Sequence, residues 1–164
     1  LLLTRTGSIS QQKERQAITM TKRLRLTPNG RDLKVTYSIT NESQSPLRLR
    51  FASEWAFNLL AGSAPDRYYE SDGKKLDWPE LNSVGSLRGR ADIRLTDEYL
   101  KLAIELRAVD ADEIVRFPIE SISLSEGGFE RIYQGSILMP MWKLELTPGE
   151  TRKLELTVLF GLLP

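Results

Sequence analysis

The chain has 164 residues, 40% hydrophobic and 27% charged, which is enough length and apolar content for one globular core. Lys and Arg total 23 against 22 Asp and Glu, so no charge excess favours nucleic acid or an anionic membrane surface. There is no Cys and no His, which removes disulfides, thiolate and imidazole metal sites, and Ser-His or Cys-His catalysis.

The chain opens on Leu1-Leu2-Leu3 without a Met, too short an apolar run for a signal core or a membrane span. This start reads as a cut inside a longer protein, with the true N-terminus upstream. From Ile18, the apolar residues Met20, Leu24 and Leu26 keep even positions, with Lys22 the exception. Pro28-Asn29-Gly30 marks a turn, after which Leu33, Val35, Tyr37 and Ile39 alternate with polar residues. Asn41-Glu42-Ser43 and Pro46 end that run, and Leu47, Leu49 and Phe51 form the next. Residues 58–90 show little alternation and hold Pro65, Gly73, Pro79, Gly85 and Gly89, which predicts a long functional or docked loop.

Alternation returns at Leu100, Leu102, Ile104 and Leu106. Parity then changes twice. Phe117 and Ile119 are odd, whereas Ile122 and Leu124 are even; Ile137, Met139 and Met141 are odd, whereas Trp142, Leu144 and Leu146 are even. A β-bulge or a crossing between sheets would produce each change, and Pro118 and Pro140 lie close by. Pro148-Gly149 separates two alternating strands and predicts a closing hairpin, with Leu154, Leu156, Val158 and Phe160 on the buried face of the last strand. Period two throughout, with no long 3.6 period, predicts an all-β antiparallel sandwich of about ten strands.

Carboxylates alone could support glycosidase chemistry. Glu54, beside Trp55 in an apolar segment, is the best single candidate; the alternative is an edge residue or one paired to an Arg. Asp66, Glu70, Asp72, Asp77 and Glu80 cluster in the loop but lack the spacing of an EF-hand, so no metal site is expected. Trp55 and Trp142 sit on strands and read as core. Tyr68, Tyr69 and Trp78 fall in loop sequence, where sugar contact, domain docking and local packing stay open. No Gly-rich turn leads into a helix signal, so no phosphate loop and no cofactor are expected.

Arg50-Phe51-Ala52-Ser53-Glu54-Trp55-Ala56-Phe57-Asn58-Leu59-Leu60, then Ala64-Pro65-Asp66-Arg67-Tyr68-Tyr69, form a distinctive stretch. With Tyr37-Ser38-Ile39-Thr40-Asn41 before it and Leu146-Thr147-Pro148-Gly149-Glu150 near the end, it resembles the C-terminal all-β region of glycoside hydrolase family 57 enzymes, the α-amylases and 4-α-glucanotransferases. The resemblance covers most of the chain. It implies a sandwich similar to the galactose mutarotase-like supersandwich, incomplete at its N-terminal side. In that family the sandwich packs on a distorted (β/α) barrel that carries a Glu nucleophile and an Asp acid. No residue here matches the barrel motifs, so no catalytic residue carries over.

The expectation is thus one domain, residues 1–164, forming a non-catalytic C-terminal fragment of a larger α-glucan-processing enzyme. Its partners would be the catalytic domain of the same chain and α-glucan, with no nucleic acid and no membrane, in a cytoplasmic setting. The alternatives are an independent carbohydrate-binding module and a small epimerase-like enzyme, the latter disfavoured by the lack of His. Candidate residues for carbohydrate contact or docking are Trp55, Asn58, Asp66, Arg67, Tyr68, Tyr69 and Trp78. The cut surface is expected to make the fragment a homodimer.

Overall fold

A computed structural model describes residues 1–11, 14–125 and 127–163. Among these residues thirteen strands follow one another: β1 (Leu2–Gln11), β2 (Glu14–Leu26), β3 (Asp32–Asn41), β4 (Leu47–Ala52), β5 (Trp55–Phe57), β6 (Arg67–Ser71), β7 (Lys74–Glu80), β8 (Gly85–Arg88), β9 (Asp92–Asp97), β10 (Leu102–Ala108), β11 (Glu113–Ser125), β12 (Gly128–Leu146) and β13 (Thr151–Leu162). No helix occurs among the described residues. One sheet has eight strands in the order β1-β2-β3-β13-β10-β9-β6-β7; the other has β4-β12-β11-β8, with β5 also on β12. All pairings are antiparallel.

The core lies between the sheets, where period-two side chains meet. Val35, Tyr37 and Ile39 of β3, Ile104 and Leu106 of β10, and Leu154, Leu156 and Val158 of β13 face Leu47, Ile114, Leu138, Trp142, Leu144 and Leu146 of the smaller sheet. Lys22 keeps the inward parity of Met20 and Leu24 because its ammonium lies over aromatic rings, 5.4 Å from the centroid of Tyr37 and 5.7 Å from that of Trp55. The Gly30 turn closes β2 onto β3 with φ of 70°.

Two expectations need correction. The segment 58–90 is not a structureless loop, since it carries β6, β7 and β8. Its alternation is hidden because the inward positions of β6 are Arg67, Tyr69 and Ser71, polar or amphipathic side chains that are buried nonetheless. Pro148-Gly149 does turn the chain, with Gly149 at φ 77°, but it closes no hairpin: β12 lies in the smaller sheet and β13 in the larger. The turn is a corner between layers, and so is the passage from β3 to β4. Both corners are tied to Asn41, which is fully buried. Its Nδ2 donates to the carbonyls of Ser45 (2.9 Å) and Leu146 (3.0 Å), while its own carbonyl accepts from Gly149 N–H (2.8 Å).

The parity changes have different causes. At Ile119/Glu120 the register slips, since Ile119 faces Gly135 but Glu120 faces Tyr133, so Gln134 is the extra residue of a bulge in β12; β11 has no extra residue, and Ile122 and Leu124 lie on the face opposite Phe117 and Ile119. At Met141/Trp142 the ladder is regular. There the strand carries apolar side chains on both faces, with Leu138, Trp142 and Leu144 inward and Ile137, Met139 and Met141 outward.

Candidate functional site

The sequence-predicted residues separate into buried and exposed groups. Tyr69 is fully buried, and its hydroxyl donates to the Leu81 carbonyl at 3.2 Å. Burial pushes its pKa up to about 12, because desolvation disfavours phenolate by more than the nearby Arg116 charge favours it. Arg67 also points inward, with its Nε 3.0 Å from Oδ2 of buried Asp97 and its Nη1 3.1 Å from Asp66. Arg67 and Tyr69 therefore hold core positions rather than surface ones, corrected by the inward parity of β6. Trp55 is half-buried and donates from Nε1 to Ser53 Oγ at 2.8 Å, a hydroxyl that also meets Tyr37 Oη at 2.6 Å. Glu54 and Asn58 are exposed.

Tyr68 and Trp78 remain at the surface. Tyr68 donates its hydroxyl to Glu98 at 2.7 Å, and that carboxylate raises the phenol pKa to about 12. The Lys75 ammonium sits 3.4 Å from its ring centroid. Trp78 is 72% exposed on the edge strand β7, yet its carbonyl is anchored by Ser83 Oγ (2.9 Å) and Arg116 Nη2 (3.0 Å). The acidic residues of this region disperse: Asp66 pairs with Arg67, Asp72 with Arg90, and Glu70 lies 3.8 Å from Arg94.

The outer face of the larger sheet holds an open groove of about 520 Å³, lined by Glu70, Asp92, Arg94, Glu105 and Arg107 over Ala108 and Val109. Cross-strand register builds it. Glu70 of β6 faces Arg94 of β9, which faces Glu105 of β10; Asp92 faces Arg107. Thr96 Oγ1 donates to Glu70 at 2.6 Å, and Arg107 is bonded to Glu105. Such a row alternates acceptors and donors, with three carboxylates against two guanidinium groups, a chemistry suited to a hydroxyl-rich ligand.

Two features escaped the sequence reading. Arg116 is buried on the inner face of β11, donating to Ser83 Oγ (2.7 Å) and the Trp78 carbonyl, with its guanidinium 5.1 Å from the Tyr69 ring centroid. Desolvation holds its pKa below the ordinary arginine value. Gly85 is needed beside it, because a Cβ there would lie 3.0 Å from the guanidinium. The second feature is the apolar outer face of the smaller sheet. Directly opposed pairs share a face, so Val115 with Met139, and Phe117 with Ile137, lie on the outer face with Ile119 and Met141, although Ile137 is only 3% exposed. The odd-position apolar residues of β11 and β12 are the sequence signal for it.

Residues 1–157 match the family described as Alpha-amylase/4-alpha-glucanotransferase, C-terminal. Alpha-amylase 1 of Dictyoglomus thermophilum is 39% identical over 119 residues, which make up 71% of this chain and 16% of that enzyme. The crystal structure of 4-alpha-glucanotransferase from Thermococcus litoralis is similar with a TM-score of 0.66 and 20% identity, over 99% of this chain and 21% of that one. A galactose mutarotase-like protein from Lactobacillus casei is similar with a TM-score of 0.69 and 16% identity, over 98% of this chain and 70% of that one. The chain thus has the galactose mutarotase-like sandwich fold, and it spans about a sixth of the amylase and a fifth of the glucanotransferase.

Proposed function

Because the chain belongs to the alpha-amylase/4-alpha-glucanotransferase C-terminal family, we propose that residues 1–164 form a non-catalytic domain that packs on the catalytic barrel of an α-glucan-processing parent enzyme. The observation that carries this reading is the match of residues 1–157 to a region that is C-terminal in its family and a small share of an amylase's length. The chain's own chemistry agrees. It has no imidazole or thiol, and Glu70, Glu105 and Glu113 are engaged with arginines or a hydroxyl. Hydrolysis or transfer then belongs to the barrel, and this domain supports it in a cytoplasmic parent.

The test compares the purified chain with its full-length parent on soluble amylose and maltooligosaccharide. The expected result is no turnover by the chain alone, and a lower thermal midpoint of the parent when residues 1–164 are deleted. Turnover by the isolated chain, or an unchanged midpoint after deletion, overturns the reading.

A second reading is direct contact with α-glucan, as an independent carbohydrate-binding module would make. The groove around Arg94 and the exposed ring of Trp78 support it. Affinity electrophoresis through amylose is the check. Arg94→Ala and Trp78→Ala should each abolish the retardation of the chain, whereas equal mobility with and without amylose removes this reading.

A further inference from the structure

An antiparallel sandwich normally alternates apolar-in with polar-out, because its outer faces meet water. The larger sheet obeys this. Its outer rows read Glu70-Arg94-Glu105 and Asp92-Arg107-Thr157-Lys34, and Thr40 meets Thr151 at 2.8 Å between hydroxyl oxygens. The smaller sheet does not. Ile114-Val115, then Phe117-Pro118-Ile119, and Ile137-Leu138-Met139-Pro140-Met141-Trp142 are near-continuous apolar runs, the pattern of strands covered on both faces.

The uncovered side of these strands has the anatomy of an interface. Val115, Phe117, Met139 and Met141 form its centre, and Ile119 and Ile132 are 40% and 44% exposed. Ion pairs flank it, Arg48 with Glu145 at 3.1 Å and Arg88 with Glu113 at 3.3 Å. An apolar centre with a charged rim is how protein interfaces are built. Beyond Ile119 and Gly135, among the described residues only β11 and β12 still pair, so a two-stranded ribbon projects from the sandwich. On that ribbon Ile132 faces Ser121 and continues the outer face, whereas Ile122, Leu124 and Phe129, at 69%, 76% and 82% exposure, share the opposite side. A two-stranded ribbon is marginal in water and gains from a partner.

We propose that the outer face of the smaller sheet, from Val115 and Met141 to Ile119 and Ile132, is the surface on which the remainder of the parent enzyme docks in cis. The proposal rests on the reading above that the chain is a domain of a longer enzyme. About four fifths of the length of the related enzymes lies outside the part this chain covers. A neighbour joined covalently reaches a surface at high effective concentration, so it takes the apolar face ahead of a second copy. The larger sheet's outer face, with its charged rows, is left to solvent or ligand.

The test uses the full-length parent, with Ile119→Lys/Ile132→Lys on the apolar face and Thr36→Lys/Ser38→Lys on the polar face as control. Hydrogen exchange of the β11–β12 amides should be at least tenfold slower in the parent than in the isolated chain. The apolar-face variant should abolish that protection and split one calorimetric transition into two, with the control unchanged. The isolated chain carrying the same lysines should keep its circular dichroism spectrum, which separates undocking from misfolding. If deletion of residues 1–164 lowers the parent's stability but the apolar-face variant leaves protection intact, this surface is wrong and the functional reading stands. If neither change has an effect, both fail. If the lysines only convert an isolated dimer to monomer, the occupant is a second copy and the proposal is overturned.

Discussion

Removing one charge from the Arg67–Asp97 pair should be among the most damaging single changes to this fold. Arg67 is 8% exposed and Asp97 is fully buried, with 3.0 Å between Nε and Oδ2. Asp97→Asn keeps the volume and keeps an oxygen to accept from the Leu100 N–H, which now donates to Oδ1 at 2.8 Å. It deletes only the negative charge. The guanidinium is then left with Asp66, whose side chain is 37% exposed and so shares its charge with water. Orphaning one member of a buried pair costs about 3–5 kcal/mol, and the remaining contact with Asp66 argues for the lower end, about 3 kcal/mol. With a urea dependence of about 2 kcal/mol per molar, the midpoint should fall by about 1.5 M. Arg67→Met should recover much of that loss when added to Asp97→Asn, because the stranded cation goes with it. The double variant should then fall short of the sum of the singles by about 2 kcal/mol. Urea titration followed by tryptophan fluorescence measures all four proteins. A loss below about 1 kcal/mol for Asp97→Asn, or strict additivity, would refute the reasoning.

Gly135→Ala should destabilise by about 2 kcal/mol, since its Cβ would lie 2.9 Å from the Phe57 carbonyl oxygen, a backbone atom that cannot swing away; thermal unfolding measures it. Tyr68 and Tyr69 should titrate near pH 12, later than an ordinary phenol near 10. Both folded values are raised, so the stability they contribute is complete below about pH 10 and is lost as the pH climbs towards about 12. Phenolate absorbance should show a late phase, and Tyr69→Phe should reduce its amplitude. Glu150 accepts from Thr147 N–H and Oγ1 at 2.8 and 2.9 Å, which holds its carboxyl below the ordinary range. Its contribution is therefore present at neutral pH and lost in acid, so Glu150→Gln should be less stable than the parent sequence at pH 7 and indistinguishable from it at low pH in urea titrations.

The strands of the larger sheet's centre were legible residue by residue. In β3, β10 and β13 the inward positions are mostly aliphatic or aromatic and the outward ones mostly polar or small, so period alone assigned Val35, Tyr37, Ile39, Leu106, Leu156 and Val158 to the core. Gly30 and Gly149 likewise marked turns, because a positive φ is a local demand that glycine meets. The sequence also carried the family, through segments such as 50–60 and 64–69.

Other features depended on residues far apart in the chain. The inward Arg67 of β6 is compatible with a core only because Asp97, thirty residues later, is buried opposite it. Arg116 is likewise settled by Ser83 and the Trp78 carbonyl on another segment. The turn at Pro148-Gly149 looks the same locally whether it closes a hairpin or rounds a corner, and Asn41, more than a hundred residues upstream, decides for the corner. The outward apolar face of β11 and β12 disguised a regular ladder as a parity break at Met141/Trp142. Side-chain alternation and turn preference are properties of a few consecutive residues, and the sequence by itself determined them. Which strand pairs with which, and which buried charge finds its partner, follow from contacts that exist only once distant segments are packed together, so only the tertiary structure decided those.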